Sequence, residues 1–514
     1  MGENEQVCGH KDMCEAYRVA DTNRCWAHLS VNVLETALGK LAPGNDLDFR
    51  NTTVKDDLLC SILGRLRDPG SGRLLIGSMR CDHATFTASV DIGNATLAGD
   101  AVFTGCNFGG AAIFTSVSFG GVANFSRATF GDDAIFKDVT FNGAASFSEC
   151  KFSAGIFSRI RAGGDISFYK ASLTSLELTA NRSAGTAGLL KLTGLRVAGE
   201  VDVCAEASAV HCEQAEFTGR VTLRLATAEL WLTGSVFKEP ATVEFWLRVP
   251  RSQNHSKHAA DEQLVGVRSL RGVDAEHLTL SDADLSCCLI YGLHRPEQLR
   301  LAGRCKFART PRGWHLRWHF MPWRWTRRGA LYEEHLWRRT TPLRHLGWTS
   351  AIPPQPDDPK EPPPPPASLA VLYRQLRQGI EEARNVPGAA DLYYGEMEMR
   401  RLSTEGRDER WLLAAYWLVS GYGLRASRSM LVLGCLILAA AEALQRTGFG
   451  HHPHHPGYVD SLLYAMGSIL SLDISGHLPT TLSDWGEAIR MALRIGGPVL
   501  LGLGALALRG RVTR

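Results

Sequence analysis

Three thiols and one imidazole lie within 21 residues near the N-terminus: Cys8, Cys14, Cys25 and His28. Cys and His are the ligand types of structural zinc, and four of them in so short a span can close a tetrahedral Cys3His site. Cys25-Trp-Ala-His28 has a good chelate spacing, and Cys8-x5-Cys14 is looser. His10 is a rival ligand, and ordinary free cysteines near a terminus are the plain alternative. A catalytic zinc would need a general base beside it, and the sequence offers none in an evident pocket.

Other chemistry is sparse. No G-x-G-x-x-G follows a strand and opens a helix, and there is no Walker, H-E-x-x-H or G-x-S-x-G motif, so no enzyme is expected. His451-His-Pro-His-His455 reads either as an exposed polar loop or as a transition-metal or pH-sensitive site. Cys287-Cys288 is a vicinal pair, but Cys288 falls in a packing slot of the repeat described below.

The chain has 514 residues, too many for one compact core, so several domains are expected. A net charge of +3 argues neither for a nucleic-acid binder nor for an acidic mimic. The 13 cysteines are odd in number and irregular in spacing, and Met1 to Lys11 holds no apolar signal region. Reduced thiols in a cytoplasmic compartment fit both observations.

The element that dominates the chain is a repeat. Large apolar residues stand at Phe86, Ile92, Leu97, Phe103, Phe108, Phe114, Phe119, Phe125, Phe130, Phe136, Phe141, Phe147 and Phe152, in alternating steps of six and five. Two residues before each is Ala, Val or Cys. Residues two apart in extended chain face one side, so each short strand sends one large and one small side chain inward. A helical period would smear this set around a cylinder, whereas a solenoid with one inward face per step accommodates it. Four steps make a coil of 22 residues that rises about 4.8 Å. The six-residue steps are expected to widen alternate corners.

These A-x-F units resemble pentapeptide-repeat proteins, and the resemblance implies a mainly β fold, a right-handed quadrilateral β-helix. Weaker units continue through Asp165–Phe168, Glu200–Val203, Arg220–Leu223 and Thr242–Phe245. They resume after a polar insert at Arg251–Glu262 and run to Leu299–Leu301. Lys137, Lys151, Arg159 and Lys170 interrupt the acids along its surface, so it is not read as a DNA mimic.

The expected organisation is a Cys/His-rich zinc knuckle over residues 1–30, an α-helical cap over 31–80 and the β-helix over 81–308. In the cap, Val31–Leu38 and Val54–Leu66 carry helical spacing, Thr53 with Asp56 suggests a capping box, and Asp68-Pro-Gly-Ser-Gly closes the second helix. A Trp/Arg-rich segment follows over 309–352, with Trp314, Trp318, Trp323, Trp325, Trp337 and Trp348. It reads as packing on the β-helix end with Arg stacked on Trp, as a membrane contact or as a single-strand nucleic-acid surface. The first reading is preferred, and no nucleic-acid partner is expected. Residues 353–366 form a stiff Pro-rich linker.

The C-terminal third changes character. Residues 367–405 read as a helical pair (Ser368–Arg384, then Ala389–Leu402 after Pro387-Gly388), with Glu396, Glu398, Arg400 and Arg401 on a solvated, paired face. Residues 409–514 read as a two-span membrane module. Trp411–Val419 suits an interface, and Leu424–Leu444 and Ile489–Leu508 are long enough to cross a bilayer. Arg407, Arg410, Arg425 and Arg428 precede the first span, and Arg509, Arg511 and Arg514 follow the second, which places both ends and the β-helix in the cytoplasm, below the cell membrane.

Between the spans lies an apolar half-helix, Tyr458–Leu470, and then Ser471-Leu-Asp-Ile-Ser-Gly-His-Leu-Pro479. This order resembles the two-span pore module of potassium channels. Together with WTRRGALYEEHLWRR (Trp325–Arg339), NVPGAADLYYGEMEMRR and LALRGRVTR, the chain is similar to a group of pentapeptide-repeat proteins fused to such modules. The resemblance implies a homo-tetramer if the module conducts. The filter positions hold Ser471, Leu472, Asp473, Ile474 and Ser475, with both filter glycines replaced. Potassium selectivity by the usual carbonyl geometry is therefore not expected, and Asp473 is the residue that would ring a cation path.

The functional expectation is a membrane-anchored cytoplasmic β-helix scaffold or sensor without catalysis, touching membrane lipid and an unidentified protein partner. The alternative is a pore-forming, ion-channel-like protein with a non-standard filter. The resemblance also carries an outside reading, a membrane-associated oxidoreductase, for which no cofactor motif is found.

Overall fold

The computed structural model describes residues 7–9, 14–182, 188–226, 229–245, 265–311, 314–317, 321–324, 327–340, 348, 362–449, 457–470 and 482–512. The polar insert at Arg251–Glu262, the His451–His455 run and Ser471–Ser475 lie outside them. The chain forms two compact units, one from residues 1–325, 331–339 and 343–354, the other from 326–330, 340–342 and 355–514.

The first unit is a β-solenoid of about 10 turns. Its strands are two to nine residues long and pair in parallel with the strand one coil on. Between 112 and 152 the partners are 22 residues apart: Ala112 with Ala134, Phe119 with Phe141, Ala123 with Ala145, Phe130 with Phe152. Each of these coils has four strands, for example Ala112–Thr115, Ser118–Phe119, Ala123–Asn124 and Thr129–Phe130. All thirteen large apolar residues of the repeat and their thirteen small partners are buried. Side chains two apart do face inward together, as alternation in extended chain requires.

The aromatic rings then stack along the axis. Phe103, Phe125, Phe147 and Phe168 form one column with centroids 4.7, 5.1 and 5.1 Å apart. Phe86, Phe108, Phe130 and Phe152 form another at 5.2, 4.8 and 4.6 Å. Near-parallel rings at this spacing add about 0.5–1.5 kcal/mol per pair beyond their area burial.

The alternating step lengths have a backbone cause. Every five-residue step from Ile92 to Phe152 turns through one residue of positive φ: Asn94, Gly105, Ser116, Arg127, Asp138 and Glu149. At Arg127 (φ 61°) the Ala128 N–H donates to the Phe125 carbonyl at 3.0 Å, the bond of a type II turn. The six-residue steps need no left-handed residue, and the extra residue goes into a corner pressed on the coil before it. A Cβ at Gly120 would stand 2.5 Å from the Ala98 carbonyl oxygen.

The repeat fades in the sequence where the coil changes shape. Strand Ala154–Ala162 pairs with both Ala134–Lys137 and Thr140–Phe141, so it runs across what had been a corner. Between 201 and 237 the partners are 20 residues apart: Val201 with Val221, Val210 with Leu230, Phe217 with Phe237. A coil there has three strands, Val201–Glu206, Ala209–His211 and Glu216–Phe217. The longest of the three reaches two inward pairs, so the coil still carries four: Val201 with Val203, Ala205 with Ala207, Val210 with Cys212 and Ala215 with Phe217, all buried.

The solenoid also begins before residue 81. Leu47–Asp48 pairs with Met79–Arg80, and Thr53–Val54 with Thr85–Phe86. Helices α1 (Val31–Gly39) and α2 (Asp56–Arg65) flank that first coil. The Thr53/Asp56 capping box does not form, because Thr53 is held in a strand and the N-cap is Lys55. Asp68 closes the turn after α2 by accepting from the Ser71 N–H at 2.9 Å.

At the other end lies helix α3 (Tyr332–Thr340). The Glu333 carboxylate accepts from the backbone N–H groups of Ile290 and Tyr291, the latter at 2.6 Å. It takes the place that a carbonyl of a further coil would fill. Trp348 is buried beside His335, with the Arg338 guanidinium 4.6 Å from its ring centroid, as Arg-on-Trp packing predicts. Trp314 and Trp323 lie on the two strands of a hairpin, Trp314–Arg317 with Met321–Arg324, while Trp318 and Trp325 are outside the described residues.

The second unit is helical: α4 (Pro366–Glu382), α5 (Val386–Ser403), α6 (Arg407–Ser420), α7 (Ala426–Ala443, continued by a wider turn over Leu444–Gly448), α8 (Tyr458–Leu470) and α9 (Asp484–Val512). Asn385 caps α5 by accepting from the Gly388 N–H. The charged residues of α5 are not a solvated face. Glu396 and Glu398 are buried; Arg374 (2.9 Å) and Arg377 (3.2 Å) hold the first, and Arg401 (2.7 Å) holds the second. Only Arg400 is exposed, paired with Glu409. A buried carboxylate needs such partners, and three arginines spaced along two helices supply them.

Candidate metal centre

The knuckle is built by backbone bonds that fold a short stretch onto itself. Val7 bridges Tyr17, and the Cys8 N–H donates to the Ala16 carbonyl at 2.8 Å. The Gly9 N–H reaches the Asn23 carbonyl at 3.0 Å, and Asp21, at φ 62°, supplies the tight turn between. A single 3-10 turn, Trp26–His28, then swings the imidazole back over Cys25.

These bonds bring together all four residues that the sequence singles out. The ligand atoms of Cys8, Cys14, Cys25 and His28 lie within 4.8 Å of one another. Cys14 Sγ is 3.9 Å from Cys25 Sγ, Cys8 Sγ is 3.8 Å from His28 Nδ1, and Cys25 Sγ is 3.3 Å from His28 Nδ1. A tetrahedral zinc with Zn–S bonds of about 2.3 Å separates its sulfurs by about 3.8 Å. The donor set therefore fits zinc in both chemistry and spacing. His10 lies outside the described residues.

The electrostatics point the same way. Burial, with the Cys14 and Cys8 sulfurs beside it, pushes the Cys25 thiol up to about 12, although the Ala27 N–H pulls it down. The Cys25 thiol thus resists ionisation by itself, and a divalent cation would reverse that by giving the thiolate a counter-charge. The Cys25 N–H also donates to Cys8 Sγ at 3.3 Å, which would spread the charge of a bound thiolate.

Sequence reasoning missed what surrounds the centre. Trp26, between two of the ligands, is buried with its ring 6.3 Å from that of Phe49 in the first coil. Tyr17 lies under the Arg50 guanidinium at 3.6 Å. The signal that could have found it was a tryptophan inside the chelating turn, too large to be left in solvent.

The remaining thiols are of another kind. Cys81, Cys106, Cys150, Cys212 and Cys288 are buried in the solenoid; burial pushes Cys150 up to about 12 and the others higher. They act as small core residues, not as nucleophiles.

In the second unit two helices are long and apolar enough to cross a membrane: Ala426–Gly448, with mean hydropathy 1.6, and Asp484–Ala507, with 1.4. Only 28% and 22% of their apolar windows are buried. Helix α8 packs with both, through Ala465 and Ile469 against Leu433, Leu444, Leu493 and Leu500. Glycine lets them approach: a Cβ at Gly497 would stand 2.5 Å from the Ile469 side chain.

No curated protein and no solved structure matches the chain. Residues 82–129, 103–151 and 125–172 match the family described as pentapeptide repeats (9 copies). Residues 82–172, with their stacked phenylalanines and 22-residue register, are thus a pentapeptide-repeat β-solenoid.

Proposed function

We propose that this protein is a membrane-anchored β-solenoid scaffold or sensor without catalytic activity. The observation that carries the reading is the exposed apolar surface of the two long helices. Leu431, Leu438, Met491, Ile495, Val499 and Leu506 are each more than half exposed. A core helix of a water-soluble domain hides such side chains, whereas lipid is their natural solvent. The arginines that flank the spans favour a cytoplasmic solenoid. Its surface of short strands and ion pairs such as Arg159–Asp138 and Arg224–Asp202 would present a rigid face to a protein partner.

Three finer features belong to the same proposal: a right-handed coil sense, zinc at Cys8, Cys14, Cys25 and His28, and closure of the N-terminal end by the helical cap of residues 31–80. The test of the anchor is extraction. The protein should stay with membranes through high salt and alkaline carbonate and leave only with detergent. Cys60, exposed on α2, should react with an impermeant maleimide only after the cells are opened. Release by carbonate would sink the anchor, and labelling of Cys60 on intact cells would sink the orientation.

The position of α8 keeps a second reading in view. A 13-residue helix packed with two apolar helices would suit a pore helix. On that reading Asp473 lines a cation path in an oligomer, a tetramer by the resemblance.

A further inference from the structure

We propose that the Cys3His centre is a lock on the N-terminal end of the solenoid: metal held there keeps the first coil's edge covered, and without it that edge pairs with the same edge of a second copy of this chain. The inference rests on the zinc reading above and adds what the metal would do.

The aromatic column does not stop at Phe86. Phe49 lies 6.5 Å from Phe86 on its N-terminal side, and Trp26 lies 6.3 Å from Phe49. Trp26, Phe49, Phe86, Phe108, Phe130 and Phe152 are therefore one series, and its outermost ring belongs to the metal knuckle. Trp26 sits in the single turn whose two ends are the ligands Cys25 and His28. Fixing both ligands on one ion fixes the ring between them.

The knuckle is tied to the first coil at three more points. The Tyr17 N–H donates to the Arg50 carbonyl at 3.3 Å. The Arg50 guanidinium covers the Tyr17 ring and is itself held by Asp48 at 2.6 Å. Asn51 Nδ2 donates to the Glu15 carbonyl at 3.3 Å. Among the described residues, so short a segment has no core of its own beyond Cys8, Ala16 and Cys25. Beyond those ties, a bound metal would add its binding free energy directly to the folding of the segment.

What it covers is an edge. Among the described residues, no further strand pairs on the outer side of Leu47–Asp48 or Thr53–Val54. Uncovered strand edges pair with other chains. The occupant that fits is another coil of the same width, because the end also presents the buried Phe49 ring, which only a second aromatic column would continue.

The test uses full-length protein in detergent, with zinc measured by elemental analysis, mass by light scattering and amide exchange by mass spectrometry. Removing zinc with a chelator should speed exchange over residues 47–54 by at least about tenfold, leave residues 112–152 unchanged and double the mass. Adding zinc back should reverse all of this. Trp26→Ala should keep its zinc and still show faster exchange and doubling. Zinc that comes and goes with no change at residues 47–54 would overturn the lock and leave the zinc reading standing. Faster exchange at constant mass would overturn the second copy as partner. No zinc after metal-replete expression would remove the reading underneath.

Discussion

Phe103 and Phe125, one coil apart, stack with ring centroids 4.7 Å apart and planes 3° from parallel. The same relation joins Phe108 to Phe130 and Phe130 to Phe152, so Phe130 is packed on both faces by its own kind, while Phe119 lies in register between Leu97 and Phe141. Truncating one leaves a void that two neighbours cannot fill without leaving their column. Phe119→Ala and Phe130→Ala should each cost about 3–5 kcal/mol. Denaturant melts followed at the solenoid transition check this, and a wild-type midpoint for Phe130→Ala would contradict the inward assignment.

The two kinds of corner should answer substitution in opposite directions. Ser116 holds φ at 58°, where a side chain is disfavoured, so Ser116→Gly should be neutral or stabilising by up to about 1 kcal/mol. Gly120 has ordinary φ but no room, and Gly120→Ala would force its Cβ against the Ala98 carbonyl. It should destabilise by more than about 1 kcal/mol. Thermal melts of the pair decide the matter, and equal behaviour would refute the assignment of corner types.

Glu333 makes stability depend on pH in a definite sense. Burial raises its pKa, although the Tyr291 and Ile290 N–H groups and the Arg271 charge oppose the rise. An acid whose pKa is higher when folded binds its proton more tightly in the native state. Its contribution is therefore full below the ordinary glutamate range and is lost as pH climbs through the raised value. Glu333→Gln can still accept from the two N–H groups but cannot ionise. The wild type should lose stability relative to Glu333→Gln as pH rises from about 4 upward. Parallel stability curves for the two proteins would show that the carboxylate does not titrate there.

The anchor and pore readings part at Asp473. If the module only anchors, folded protein in planar bilayers should pass no current over a wide range of pH and voltage. If it conducts, a carboxylate at membrane depth must face water or a cation, and Asp473→Asn should reduce current or cation selectivity. A current indifferent to that change would exclude the carboxylate ring.

The solenoid was legible because its signal is local. Each inward pair sits two residues apart, and the step length repeats within a coil, so Phe86 to Phe152 could be placed without knowing any partner. The metal ligands were legible for the same reason. What escaped depends on pairs distant in sequence. Leu47 and Thr53 carry no repeat of their own and become strands only because Met79 and Thr85 lie beside them. Glu396 and Glu398 look like a wet helix face, yet Arg374 and Arg377, some twenty residues earlier, and Arg401 let them be buried. Trp26 packs on Phe49, 23 residues further along the chain.

The 22-residue register also makes reach a countable quantity. Each strand meets only the coil before and the coil after, so the stack has no preferred total height. Excising residues 112–133 would drop every later phenylalanine onto the ring one level down, shortening the stack by one step of about 4.8 Å with no seam. Excising half as many would set each strand over the wrong side. Lineages of such a chain can therefore lengthen or shorten it only in whole steps, like a ruler with one graduation.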